Sequence, residues 1–331
     1  MLSRVADSLY WMSRYIERAE NIARFLDVNW HLTLDLSLMQ QSHWSALVSV
    51  SGDQKVFTER YERDTKKNVL TFLTIDQGYD NSILSCLGKA RENGLAVRDL
   101  IPIEMWELLN VYYHTVEKEA KQPDALFNNP YTFCEEVKRR TLTLSGLVDD
   151  AMDHDDAWLF FNLGRMLERA DKTSRILDVK YFVLLPHLQD VGTIIDEVQW
   201  AALLKATSSF QAYRHRYGRI APTTVAKFML MDHRFPRSVL YCLTKAQKYL
   251  HDITGTRIGY FSNEAEKVIG QLCAELSFQS VEDVFSQGLH EFTDRLQLRM
   301  NRMDEAVQNT FFATSTAPSS DLEQSPGTSE S

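Results

Sequence analysis

Apolar positions recur along this chain at spacings of three and four, and little of it alternates with the period of two that a strand requires. Val5, Leu9, Met12, Ile16, Ala19, Ala23 and Leu26 line one stripe of a helix. The same pattern predicts helices over Ser3–His31, Leu32–Ser51 with a break, Asn68–Thr74, Ser82–Asn93, Ile103–Gln122, Tyr131–Met152 and Asp156–Val183. It continues with Thr193–Ala206, Thr223–Leu230, Ser238–Leu250, Ser262–Phe278 and Ser280–Phe311. The expected fold class is an all-α helical bundle. Ser3 and Asp156 are suited to cap its two longest helices.

The long helical segments are related. The stretch SRYIERAENIARFLDV, from Ser13, returns as GRMLERADKTSRILDV, from Gly164. A shift of 151 positions lays Arg14, Glu17, Arg18, Ala19, Arg24, Leu26, Asp27 and Val28 on Arg165, Glu168, Arg169, Ala170, Arg175, Leu177, Asp178 and Val179, and Ala6 on Ala157. A second pair follows in the same order, NSILSCLGKAREN from Asn81 and RSVLYCLTKAQKY from Arg237, at a shift of 156. Two motifs at nearly one offset predict an internal duplication. The halves are 1–150 and 151–312, and the Ser/Pro-rich stretch 313–331 is expected to be a disordered tail.

In the second copy Phe160, Leu163, Leu167, Ala170, Ser174 and Leu177 fill the apolar stripe, and the small Ala19 and Ala170 permit close helix approach. With Ile16 as the reference direction, Arg14, Arg18 and Asn21 lie on the far side of the first helix, with Glu17 at the flank. That far side also carries Trp11 and Phe25, with Tyr15 at its edge, so it reads as a second, partly buried surface whose charges are paired or hold a ligand. Arg14 and Glu17 are one turn apart, a spacing at which the carboxylate can fix the guanidinium. Three readings follow. The element is an ion-pair network locking the two halves together; or Arg14, Arg18, Asn21, Arg165 and Arg169 form a surface recognising carboxylate or phosphate; or Glu17 or Glu168 is a general base, which needs a raised pKa.

A formal net charge of -9, with basic and acidic residues interleaved, argues against nucleic-acid binding. The opening residues lack the apolar run of a signal peptide, and no apolar run reaches the roughly 18 residues of a spanning helix. Cys86, Cys134, Cys242 and Cys273 are widely spaced, suggesting neither zinc site nor disulfide framework and pointing to buried thiols in a reducing cytoplasm. Arg214 and Arg216, with His215, Arg219, Tyr213 and Tyr217, make a basic aromatic loop that is either an anion contact or a solvated helix end. Asp149, Asp153, His154 and Asp156 offer acids beside a histidine, but helix capping explains them and no metal site is expected. Phosphate-loop, dinucleotide, zinc-protease and nucleophile-elbow motifs are absent, so no cofactor is expected.

Taken with SILSCLGKARENGLAVRDLIPIEMWELLN, AYRHRYGRIAPTTVAKFML and FPRSVLYCL, these motifs resemble the bacterial Alpha-E family from Met1 to about Phe311. That all-helical group is named for its Glu-Arg motif, which corresponds to Glu17-Arg18 and Glu168-Arg169. The acidic MDHDDAW stretch and the Ser/Pro tail depart from the family pattern. The resemblance implies a partner, a circularly permuted ATP-grasp protein, and often a transglutaminase-like protease, in a pathway that forms and cleaves amide bonds. The function expected is an accessory subunit binding the ligase or a peptide substrate through the paired Arg/Glu motifs, around Arg14, Arg18, Arg165 and Arg169. An enzyme using Glu17 or Glu168 and a purely structural scaffold are the alternatives.

Overall fold

A computed structural model describes residues 1–35, 44–184 and 194–313, with side chains described throughout these ranges except for 31–35, 179–184 and 194–195. Within the described residues the fold is helical and contains no strand. The first part of the chain forms α1 (Ser3–Asp35), α2 (Trp44–Ser51), α3 (Gln54–Arg60), α4 (Lys66–Thr74), α5 (Ile83–Ala96), α6 (Ile103–Lys121), α7 (Asp124–Asn128) and α8 (Pro130–Ala151). The rest forms α9 (Asp156–Leu184), α10 (Ile194–Ala206), α11 (Phe210–Tyr217), α12 (Pro222–Met231), α13 (Val239–Thr254), α14 (Glu264–Phe278), α15 (Val281–Gln287) and α16 (Leu289–Val307). A π turn over Gln308–Phe312 closes the described chain.

The long helices α1 and α9 pack against each other at the centre. Around them, α5, α8 and α10 lie on α1, while α13, α16 and α2 lie on α9. Each central helix is therefore buried on nearly every face between its second turn and Asn29 or Asp178. The buried side chains form one continuous cluster running from Ala6 to Val307. Gly164 sets how closely the two helices meet, since a Cβ there would stand 2.4 Å from the Tyr10 carbonyl oxygen.

Several local features differ from the sequence reading. Ser3 caps nothing: its hydroxyl donates to the Phe311 carbonyl at 2.7 Å. Asp155, not Asp156, caps α9, accepting from the amides of Ala157 and Trp158, while Asp156 faces the terminal ammonium of Met1 at 3.7 Å. The predicted helix Ser280–Phe311 breaks at Gly288, whose φ of 92° cannot continue a helix. The short helices α3, α7 and α11 have too few turns to show a periodic stripe, and α11 occupies what read as a basic loop. Residues 36–43 of the predicted segment Leu32–Ser51, and 314–331 of the stretch expected to be disordered, lie outside the described residues.

One pattern recurs in space. Ser82 and Ser238 cap α5 and α13 by accepting from the amides of Ser85 and Tyr241. Phe57, Tyr61, Phe72 and Tyr79 form a ring cluster, and Tyr213, Tyr217, Phe228 and Phe235 repeat it at the same shift of 156 with like geometry. Phe57 and Tyr61 stack at 5.1 Å and 20°, Tyr213 and Tyr217 at 5.1 Å and 21°. Beside each cluster an arginine meets an aspartate, Arg60 with Asp76 and Arg216 with Asp232.

The contact at Gly164 yields a paired test. Gly164→Ala should destabilise the protein by about 2 to 3 kcal/mol, because the methyl group must push α1 and α9 apart. Gly146→Ala, at a helical position where the new Cβ meets nothing within 4 Å, should stabilise it by about 0.5 to 1 kcal/mol. Urea unfolding midpoints at unchanged slope measure both.

Candidate functional site

The crossing of α1 and α9 brings the two Glu-Arg dipeptides together. Arg169 closes a two-pronged fork on Glu17, Nε to Oε1 at 2.8 Å and Nη2 to Oε2 at 2.7 Å. Arg18 returns the same fork to Glu168, Nε to Oε1 at 2.7 Å and Nη2 to Oε2 at 3.0 Å. Each helix thus offers one carboxylate and one guanidinium to the other, the geometry in which Arg binds carboxylate best. The sequence reading paired Arg14 with Glu17 along one helix. Arg14 instead reaches across to Glu168, Nε to Oε2 at 2.8 Å, because that face of α1 is covered by α9.

Further groups complete the cluster. Arg237, just before α13, donates to Glu17 at 3.3 Å and to Glu20 at 2.6 Å; Asn81, at the matching place before α5, accepts from Arg18 at 2.7 Å. Lys172 lies 3.6 Å from Glu168. Arg14 also meets Asp304 of α16 at 2.6 Å and the Tyr10 hydroxyl at 3.0 Å. The rings of Trp11 and Tyr15, which broke the polar far side in the sequence, lie under the guanidinium groups of Arg14 and Arg18. Asn21 contacts no surface: it is fully buried, and its amide donates to the Glu17 backbone carbonyl and to Glu17 Oε1.

These contacts fix the ionisation of the two carboxyls. Burial pushes Glu17 and Glu168 up, but the opposing charges outweigh it, Arg169 foremost for Glu17 and Arg18 with Lys172 and Arg14 for Glu168. Both end below the ordinary carboxylate range, Glu168 well below it. Both are nearly free of solvent exposure and held ionised, so neither has the raised pKa that the general-base reading demands. Burial likewise pushes the thiols of Cys86 and Cys242 up to about 12, which leaves them as unreactive apolar groups at neutral pH.

The remaining candidates go to different places. Arg165, which the sequence shift of 151 lays on Arg14, is less well held than Arg14. It reaches Asp149 at 3.3 Å, and its buried Nε has no acceptor. Burial and the neighbouring Arg169 lower its pKa. Arg214 and Arg216 are exposed on α11, which packs on α10 and α12, so they stay outside the α1–α9 cluster; Arg216 pairs with Asp232 and Arg214 lies over the Phe210 ring. His154 stacks on Trp158 while Asp149 takes Arg165 and Asp156 takes Met1, so that acidic stretch gathers around no single point. Among the described residues, Asp178, His290 and Asp294 have ligand atoms close enough to share an ion, although the Asp178 carboxylate already accepts from Thr293 and Gln297.

On one flank of the crossing lies a pocket of about 310 Å3. Arg14, Arg18, Lys172 and Arg175 contribute its positive charge, Asp53, Asp171 and Asp304 its negative charge, and Trp11 an apolar wall. Lys172 and Arg175 both donate to Asp171 Oδ2, at 2.8 and 3.0 Å, and the other oxygen of that buried carboxylate accepts nothing. Only Arg14 and Arg18 of these residues stood out as site candidates in the sequence. Arg175 and Arg237 carried a usable signal, one matched to Arg24 in the repeat and the other opening the second motif. Asp304 carried none, because its role arises only where α16 meets α1.

Residues 1–312 match the model of a protein family called Alpha-E, described as a predicted alpha-helical domain with a conserved ER motif. The chain belongs to the Alpha-E family. The chain carries Glu-Arg dipeptides at the helix crossing, Glu17-Arg18 and Glu168-Arg169. Uncharacterized proteins of Mycobacterium tuberculosis strain H37Rv and of Mycobacterium bovis are each 27% identical to it over 307 residues. The match covers 86% of this chain and 34% of either relative, so the chain spans about a third of the length of the curated relatives it matches. No solved structure matches. Among the described residues no helix is long and apolar enough to cross a membrane.

The buried Alpha-E carboxylates give a pH signature. A carboxyl held below its unfolded value stabilises the fold at pH above that value and loses the contribution as pH falls. Glu17, Glu20, Glu168 and Asp171 all lie on this side, against Asp178, which burial raises. Stability should hold above about pH 5 and drop steeply below the ordinary glutamate value of 4.5. Glu168→Gln should cost about 3 to 5 kcal/mol at pH 7, because it strands the charges of Arg14, Arg18 and Lys172. It should also flatten the pH slope by up to about one proton in denaturant titrations between pH 5 and 3.

Proposed function

We propose that this Alpha-E domain is a non-catalytic accessory subunit that works with a circularly permuted ATP-grasp ligase, presenting bound groups to it and leaving the chemistry to the ligase. The observation that carries this reading is the state of Glu17 and Glu168, which are buried, ionised and fully engaged and so unsuited to proton transfer. The seam arginines are spent on those carboxylates, so partner contact falls elsewhere on the domain. The length of the mycobacterial relatives supports the reading, since in each the matched part is joined to about twice as much further chain.

The loop after α13 and the end of α14 supply a face suited to such a partner. Ile258, Tyr260, Phe261 and Phe278 are exposed around one groove, with Phe278 91% accessible. Apolar side chains of this size gathered in one place favour burial against another polypeptide. A ligase from the same pathway is the occupant we assign to it, and a transglutaminase-like protease is the other partner that the family resemblance implies. The paired caps, ring clusters and Glu-Arg forks support, in addition, an origin of the domain by duplication of a half spanning 1–150 into a second spanning 151–312.

Co-purification of the tagged protein with the ATP-grasp product of its own genomic neighbourhood tests the reading. Wild type should capture the ligase and alter its turnover, and a Tyr260→Asp, Phe278→Asp variant with unchanged circular dichroism should lose both effects. Failure of the wild type to capture it, or capture indifferent to the double substitution, contradicts the assignment of partner or face respectively.

A further inference from the structure

The two central helices treat one matched pair of arginines unequally. Arg24 of α1 is saturated: Nε and Nη2 donate to Glu20 at 3.0 and 2.6 Å, and Nη1 to the Ala206 carbonyl and the Ser208 hydroxyl at 2.5 and 3.1 Å. Arg175 of α9, its counterpart in the repeat, gives Nε to Asp171 and, among the described residues, makes no hydrogen bond through either terminal nitrogen. That open fork lines the charged pocket at the helix crossing. Gly52 faces it, and a side chain there would crowd it, since a Cβ would stand 3.0 Å from Nη1.

An unfilled acceptor sits in the same pocket. The Asp53 carboxylate takes the Tyr79 hydroxyl and the Asn81 amide on Oδ2, while Oδ1 accepts no hydrogen bond. Asp171 foremost, with Asp53 among weaker neighbours, raises the Arg175 pKa, yet no ion pair closes between Arg175 and Asp53. A free bidentate donor and a free carboxylate oxygen therefore share a space of about 310 Å3 with the Trp11 ring.

We propose that this pocket binds a small zwitterion, a free α-amino acid or short peptide, with its carboxylate on Nη1 and Nη2 of Arg175 and its ammonium on Asp53. The charge balance selects this class over phosphate. Arg14, Arg18, Lys172 and Arg175 are matched by Asp53, Asp171 and Asp304 together with Glu168, which holds Arg14 and Arg18 from beneath. A dianion would enter a neutral site with three carboxylates in its walls, whereas a zwitterion leaves the balance unchanged. The planar fork of Arg also fits the two oxygens of a carboxylate. Trp11 offers an apolar surface to the ligand side chain.

The inference deepens the binding role proposed above and rests on it. Its test uses the 331-residue chain without a ligase, so failure to bind a ligase and failure to bind this ligand are separate results. Isothermal titration calorimetry at low salt compares L-alanyl-L-alanine and L-alanine with N-acetyl-L-alanine, L-alaninamide and inorganic phosphate. At least one of the two zwitterions should bind, and probes lacking either charge should bind about tenfold more weakly or worse. Arg175→Gln should weaken the zwitterion at least about tenfold, and Asp53→Asn should do so while leaving N-acetyl-L-alanine unchanged. The Asp53→Asn arm decides the matter if Arg175→Gln fails to fold. No heat from either zwitterion up to about 10 mM, affinity indifferent to Asp53→Asn, or tighter binding of phosphate overturns the proposal.

Discussion

The crossed exchange of charge between α1 and α9 is the constraint on which the rest of this domain depends. Two carboxylates and two guanidiniums, one of each from either helix, meet with bond lengths of 2.7 to 3.0 Å, the carboxylates almost wholly buried. Desolvating such groups is costly, and a buried ion pair is rarely worth more than apolar side chains of equal volume. What the pair supplies is selectivity of arrangement. Sliding α9 along α1 by a single turn would leave four buried charges unmatched, whereas a seam of Ala19, Ala170 and leucines alone would tolerate the shift. Gly164 against Tyr10 and the forks of Arg18 and Arg169 thus fix one crossing, and the outer helices pack on the surface that results.

That crossing also creates the neighbouring pocket. Glu168 holds Arg14 and Arg18, Asp171 holds Lys172 and Arg175, and both carboxylates belong to the central helix α9. The cations in the pocket are therefore held in place by carboxylates of the fold itself. Positions matched by the sequence shift of 151 differ in how fully their polar groups are satisfied. Among the described residues, Arg14 gives Nε to Glu168 and Nη1 to Tyr10 and Asp304 where Arg165 keeps a buried nitrogen without an acceptor, and Arg24 engages all three nitrogens where Arg175 engages only Nε.

The helices and the relation between their motifs were legible in the sequence because both depend on local spacing. The stripe through Leu9, Met12 and Ile16 and the serines at the head of α5 and α13 are short-range signals. Partner choice was not legible. Helical spacing put Glu17 one turn from Arg14, and nothing local shows that the better acceptor for Arg14 lies on another helix more than a hundred residues away. Ser3 and Asp156 failed as caps for a related reason, since the Phe311 carbonyl and the Met1 ammonium claim their side chains. The ring clusters escaped notice because Phe57 answers to Tyr213 and Tyr79 to Phe235, substitutions that keep shape while losing identity.

A double-mutant cycle between Glu17 and Arg169 tests most directly whether the exchanged forks hold the domain together. Unfolding free energies of wild type, Glu17→Gln, Arg169→Met and the double variant, measured in urea at pH 7, give the coupling between the two side chains. Forks that hold the crossing should show a coupling of about 2 to 3 kcal/mol, with the double variant less destabilised than the sum of the single ones. Additivity within about 0.5 kcal/mol would contradict it, and would place the fixing of the helix crossing in the apolar seam alone.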